Sequence, residues 1–246
     1  MKITITKNET EFDNLAAWRI IGEILHNPKA VIGLSTGRTT LNMHQLVSKI
    51  YKENPFDISG ITFFGVDEVT NVPREYKGAC YTMLKNEIIG PLGVKEDNFI
   101  MPPTLSDDFE KECDIFQQRL KERGGIDMQI LGLGTNGHLG FNQPGTPFES
   151  ETWVSSMDEE LEARIRKETN SPADKELGGL TLGIRNIMHA KKIILAAKGA
   201  SKAKIVKRML EGSITTDIPA SILQLHPDCE FLLDEEAAKE LTHYNH

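Results

Sequence analysis

One pattern limits what this chain can fold into more than any other. A short apolar run is followed by a polar turn and then by an amphipathic stretch of helical period, and the unit repeats along the sequence. Residues 2–6 alternate as a strand does. Residues 30–34 are too apolar and too short for anything but a buried strand; residues 61–66, 192–197 and 229–233 read as further strands, and 126–134 as a strand running into a glycine-rich turn. Between them, Phe12, Leu15, Ala16, Ile20, Ile24 and Leu25 recur on one helical face, with Thr10 as the expected cap and Pro28 as the stop. Residues 41–51, 81–89 and 107–123 read as further helices. Strands alternating with helices require crossover connections and hence parallel pairing. The expected fold is α/β: an open, doubly wound, mostly parallel sheet with helices on both faces, Rossmann-like, made by residues 1–246 as a single domain. Residues 149–178 are polar and rich in charge. They are expected to form a mobile helical or loop excursion over the site, a lid.

Composition narrows the function classes. With 28 Lys and Arg against 36 Asp and Glu, the formal net charge is -8. That balance argues against a nucleic-acid partner or an anionic membrane surface, although one local anion pocket remains compatible with it. Cys80, Cys113 and Cys229 are too few and too scattered for a disulfide framework or a thiolate metal site. The amino end has no signal-peptide stretch, and no apolar run approaches the ~20 residues of a membrane span. A cytoplasmic setting is expected, and a homo-oligomer is compatible with everything in the sequence.

In open α/β sheets, ligands bind beyond the carboxyl ends of the strands. Residues with chemical potential stand at those positions here. Ser35-Thr36-Gly37-Arg38-Thr39-Thr40 follows one strand and leads into a helix. Hydroxyls, a permissive glycine, an arginine and a helix amino end suit a phosphate, and equally a simple helix cap. The lysine and spacing of a P-loop are missing. Asp67-Glu68 follows the next strand, and alternation lets only one of the pair face a site. Residues 131–145 place His138 in a glycine-rich turn flanked by the amides of Asn136, Asn142 and Gln143. A histidine held by fixed hydrogen bonds is the usual acid–base near neutral pH. Lys202 lies in a helical first turn, where the dipole disfavours a cation, so an anion would explain its placement. His226 reads as structural. His26, His44, His189, His243 and His246 show no metal spacing, and Cys80 has no neighbouring base in sequence.

Four segments, in this order, resemble the glucosamine-6-phosphate deaminase family: residues 33–39, 66–68, 132–145 and 219–226. The resemblance covers nearly the whole chain. Residues 78–80 (Gly-Ala-Cys) and 180–184 (Leu-Thr-Leu-Gly-Ile) look more like the galactosamine-6-phosphate deaminase/isomerase branch, since the glucosamine branch usually has Ser-Tyr in place of Ala79-Cys80. What the resemblance implies is a reaction without metal or redox cofactor, in which a hexosamine 6-phosphate becomes a ketose 6-phosphate plus ammonia. Asp67 matches the base that moves a proton between C2 and C1. His138 matches the acid–base at the ring oxygen. Asn136 stands where many members have aspartate, and Gln143 where many have a glutamate that supports the histidine. Substrate contacts carry over to Ser35, Thr36, Gly37, Arg38, Thr39, Glu68, Gly137 and Lys202. A further phosphate contact falls to Arg164, Arg166 or Lys167.

With Asn136 and Gln143 both neutral, His138 has no carboxylate in its own loop, and Glu68 is the other acid within the segments quoted. Two other functions compete. A 6-phosphogluconolactonase shares the fold and a Gly-x-Gly-x-x-Gly-His segment. A non-catalytic sugar-phosphate-binding regulator would account for the neutral residue 143.

Overall fold

The structure, a computed structural model, describes residues 1–157, 159–171 and 175–242. From the amino end come β1 (Lys2–Thr6), α1 (Glu9–His26), β2 (Val31–Leu34), α2 (Leu41–Glu53), β3 (Thr62–Gly65) and β4 (Asp67–Thr70). Then follow α3 (Cys80–Leu84), a π turn (Lys85–Ile89), α4 (Gly90–Leu92), β5 (Phe99–Ile100), α5 (Phe109–Glu122) and β6 (Met128–Gly132). The remainder holds β7 (Trp153–Ser155), α6 (Glu159–Thr169), β8 (Gly178–Thr181), α7 (Ile184–Met188), β9 (Lys192–Ala197), α8 (Ala203–Glu211), β10 (Cys229–Asp234) and α9 (Glu235–Ala238).

Seven strands form one sheet in the order β1-β10-β9-β6-β2-β3-β5, with every neighbouring pair parallel. Its strands are apolar on both faces because helices cover both. Ile32, Phe63, Ile130, Ile194 and Leu232 pack under α1, α2 and the helical run from Cys80 to Leu92. Val31, Phe64, Leu131, Leu195 and Phe231 pack under α5, α7, α8 and α9 on the other side. Full burial of one such side chain is worth roughly 1.5–3 kcal/mol, so a one-residue slip of any strand would be costly. This is the doubly wound α/β fold expected from the alternation.

Four local expectations need correction. Asn8, not Thr10, caps α1: its Oδ1 accepts the Glu11 N–H at 2.9 Å, and Thr10 is already helical. The helix expected over 81–89 begins at Cys80 and widens into the π turn. The strand read as ending at Val66 does not stop there. Leu34 and Leu182 bracket Val66 through main-chain bonds, and the chain passes directly into β4 of a second sheet. That sheet has the order β4-β8-β7 and is antiparallel. The stretch 149–178 is therefore not just an excursion, because it contributes β7 to this sheet and α6 beyond it.

The sheet order reverses between β2 and β6, which are neighbours although the chain leaves them in opposite lateral directions. Connections diverge at such a switch point and open a crevice between the strand ends. The loop after β2 and the glycine-rich turn after β6 flank that crevice. Among the described residues, no helix is long and apolar enough to cross a membrane, and no three His, Cys, Asp or Glu side chains gather as a metal site. His243 and His246, and parts of the 149–178 segment, lie outside the described residues.

Candidate active site

A cavity of about 710 Å³ opens at the switch point. Its walls include Ser35, Thr36, Gly37, Arg38 and Thr39 from the loop after β2, Asp67 from β4, His138 and Gln143 from the turn after β6, and Lys202. Nine of the twelve site residues named from sequence thus meet in one place. A second cavity of similar size, about 730 Å³, lies beside α5 and α7 and holds none of them.

The anion end is built from backbone geometry. Gly37 has φ +118°, a conformation that side-chain-bearing residues rarely adopt, and it turns the loop into α2. Thr40 donates its hydroxyl back to the Ser35 carbonyl at 2.9 Å and so braces the turn. Lys202 approaches from the far side, in a short 3-10 turn entered through Gly199. Burial, and then the charge of Arg38, lower the pKa of Lys202. Two cations that disfavour one another across a cavity make a receptor for an anion. The neighbouring Lys198 is used elsewhere, in a 2.9 Å ion pair with the buried Asp13.

Asp67 and Glu68 separate as strand alternation requires. Asp67 faces the cavity. Burial raises its pKa to about 6, opposed by a hydrogen bond from the Cys80 thiol. Glu68 corrects the expectation that it touches substrate or supports His138. It is fully buried, and its carboxylate accepts the main-chain N–H groups of Val69, Cys80 and Tyr81 at 2.7–2.8 Å. Those bonds hold the first turn of α3 against β4. Burial nevertheless raises the Glu68 pKa to about 7, with the three N–H groups pulling it down and Asp67 pushing it up.

The glycine-rich turn holds His138 through its neighbours. Asn136 Oδ1 accepts the His138 main-chain N–H at 3.1 Å, which fixes the orientation of that amide. The same oxygen lies 2.8 Å from His138 Nδ1, so Nδ1 must be the donor. The Asn136 amide nitrogen then donates to Gln143 Oε1 at 3.0 Å. The neutral imidazole carries its proton on Nδ1, and two amides in series take the place of a carboxylate. Asn136 is exposed and off the cavity wall, so it reaches the site through its bonds to His138 and Gln143. Gly137 is a correction of the same kind. At φ +91° it is buried against Ile218 and Ile205, and its carbonyl accepts the Ala220 N–H; it braces the turn rather than lining the cavity.

Three features lay beyond sequence reading, two side-chain pairings and the choice among the basic residues of α6, because long-range packing creates them. The Cys80 Sγ lies 3.5 Å from Asp67 Oδ1, so the cysteine with no neighbouring base in sequence has a carboxylate beside it in space. From α6, Arg164 reaches the cavity wall, whereas Arg166 is engaged with Glu162 and Lys167 does not line the cavity. Tyr76 donates its hydroxyl to Glu168, joining α6 to the loop before α3 over the cavity. His226 is structural as expected: its Nε2 lies 2.8 Å from the Ala190 carbonyl, and its Nδ1 accepts the Asp228 N–H.

Comparison with known proteins agrees with this architecture. The chain is 36% identical to a glucosamine-6-phosphate deaminase of Clostridium botulinum strain Loch Maree over 242 residues, covering 98% of this chain and 99% of that protein. It is also 36% identical to the glucosamine-6-phosphate deaminase of Clostridium perfringens strain 13, covering 98% and 100%. A solved monomeric glucosamine-6-phosphate deaminase superposes with a TM-score of 0.90 at 32% identity, covering 98% of this chain and 100% of that one. The 6-phosphogluconolactonase of Trypanosoma cruzi shares the fold, with a TM-score of 0.77 at 22% identity over 98% and 97% of the two chains. The family model for glucosamine-6-phosphate isomerases and 6-phosphogluconolactonases matches residues 14–230, a span that takes in the loop after β2, Asp67, the glycine-rich turn and Lys202. On that match and those identities, this chain belongs to the glucosamine-6-phosphate isomerase/6-phosphogluconolactonase family.

Proposed function

We propose that this protein deaminates a hexosamine 6-phosphate, giving a ketohexose 6-phosphate and ammonia. One observation carries the reading: a carboxylate and a histidine share a cavity with a loop-and-lysine anion receptor. The phosphate does not react. Its binding energy at Arg38, Thr39 and Lys202 positions the far end of the sugar. His138 exchanges a proton with the ring oxygen, which opens the ring. Asp67 takes the weakly acidic C2 proton and returns it at C1, leaving an imine at C2. Water adds to that imine and ammonia departs. A buried carboxylate with a raised pKa is a stronger base than an exposed one, which suits this proton transfer. Asn136 and Gln143 hold His138 in position, and Arg164 supplies a further phosphate contact from α6.

The named relatives favour glucosamine 6-phosphate, whereas Gly78 and Cys80, which line the cavity, favour the galacto epimer by resemblance. The test is ammonia release from glucosamine 6-phosphate and galactosamine 6-phosphate side by side, with 6-phosphogluconolactone as a third substrate. Ammonia from either sugar, abolished by at least ~10²-fold in Asp67→Asn, supports the reading. Acid release from the lactone without ammonia assigns the chain to lactone hydrolysis. Tight sugar-phosphate binding with no turnover assigns it to regulation.

A further inference from the structure

We propose that Cys80 is a positioning residue that joins the anion loop to the general base, a role that rests on reading Asp67 as that base. Cys80 touches three parts of the site at once. Its main-chain N–H donates to Glu68 at 2.7 Å, which seats the first turn of α3. Its Sγ lies 3.5 Å from Asp67 Oδ1 and receives the Thr36 hydroxyl at 3.4 Å. The result is a directed chain: the Thr36 hydroxyl donates to sulfur, and the thiol donates to the carboxylate. Burial, reinforced by the charges of Asp67 and Glu68, holds the Cys80 pKa well above its ordinary value, so the thiol keeps the proton it donates. Thr36 belongs to the loop that faces the anion end of the cavity. Filling that end fixes Thr36, which fixes the sulfur, which fixes the carboxylate oxygen 3.5 Å further on.

A cysteine kept only for packing would have no directional bond to the acid. The two roles differ in what they do to Asp67. A donor to the ionised carboxylate favours the charged form, so removing it raises the pKa of the base. Other groups facing the same cavity are Arg38, Tyr76, Lys77, His138, Arg164, Glu168 and Lys202, with Glu68 next to Asp67 in β4 but off the cavity wall. Cys80→Ala and Cys80→Ser leave all of them in place, and both keep the main-chain bond to Glu68.

The experiment is the pH profile of kcat/KM for ammonia release by the native protein, Cys80→Ala and Cys80→Ser, on whichever hexosamine 6-phosphate turns over. A hydroxyl is a stronger donor than a thiol, and a methyl donates nothing. The acid limbs therefore fall in the order alanine highest, cysteine next, serine lowest. The alanine limb lies above the native one by about half a pH unit or more, the scale of one modest hydrogen bond. Superimposed limbs in all three proteins overturn the proposal. If Cys80→Ala fails to fold, the cysteine–serine pair decides alone, and equal limbs refute it. Asp67→Asn separates the two levels of inference. Retained turnover in that variant removes the base itself. Lost turnover together with equal limbs in the Cys80 variants leaves the base standing and removes only the role of Cys80.

Discussion

Gly134 offers a test of His138 that does not touch the histidine. A Cβ added at Gly134 would lie 2.4 Å from His138 Nδ1 and Cε1 and 2.5 Å from Cγ. Ordinary carbon contact starts near 3.4 Å, so the ring in Gly134→Ala must retreat by about 1 Å, the difference between 3.4 and 2.4 Å. The backbone tolerates alanine, because Gly134 is absent from the positive-φ glycines of this turn, which are Gly137 and Gly140. The imidazole is only partly buried and can swing away. The cost to the fold is then the 2.8 Å bond from Nδ1 to Asn136, about 1 kcal/mol, or roughly 2–4 °C in a domain of this size. The cost to catalysis is larger, since a misplacement of about 1 Å lowers turnover on the order of 10²-fold. The loop after β2 is untouched, so KM should change little. The assay is steady-state ammonia release alongside thermal melting. A folded Gly134→Ala protein with kcat within about twofold of native would remove His138 from the reaction.

Three further outcomes follow from the site. Asp67 and Glu68 titrate near 6 and 7 in the folded chain against 3.8 and 4.5 when unperturbed, so the native state binds more protons between those values and their contribution to stability grows as pH falls. Asp67→Asn, which removes a buried charge, should therefore melt higher than native at pH ~8, with the gap closing as pH falls through ~6 toward ~4; a lower melting temperature at pH ~8 refutes the burial argument. Lys202→Ala should raise KM for the phosphorylated sugar with a smaller effect on kcat, and the unphosphorylated amino sugar should be a very poor substrate for the native protein. Equal rates on the sugar and its 6-phosphate would dismantle the anion receptor. Gln143→Glu puts a charge at the end of the Asn136 relay, which favours a protonated imidazole, so the alkaline limb of kcat/KM should move upward; unmoved limbs would mean that residue 143 does not reach His138 electrostatically.

Much of this protein was legible before any coordinates. Apolar runs at β2, β3, β6, β9 and β10 declare a sheet buried on both faces, because a strand covered on both sides has no polar face to show. Parallel pairing follows from the helices between them, and parallel strands place loops 35–40 and 133–145 at the same end of the sheet. That is why Arg38, His138 and Lys202 could be grouped while far apart in the chain. Period-2 alternation also required Asp67 and Glu68 to part company, although it could not say which faced the cavity.

Tertiary structure decided what depends on partners distant in sequence. The second sheet was invisible because β4, β7 and β8 are only three or four residues long, and Gly178-Gly179 in β8 carries no side-chain pattern. Glu68 became structural because α3 brings three N–H groups to it, and Cys80 acquired an acid neighbour by the same docking. Arg164 was separated from Arg166 and Lys167 by the rotation of α6 about its own axis, which is set by Ile165 burying itself in the small core above the cavity. Periodicity along a chain records which face of an element is apolar. What that face meets, and hence which polar groups are consumed in holding the site and which are left facing substrate, is settled only when the elements pack.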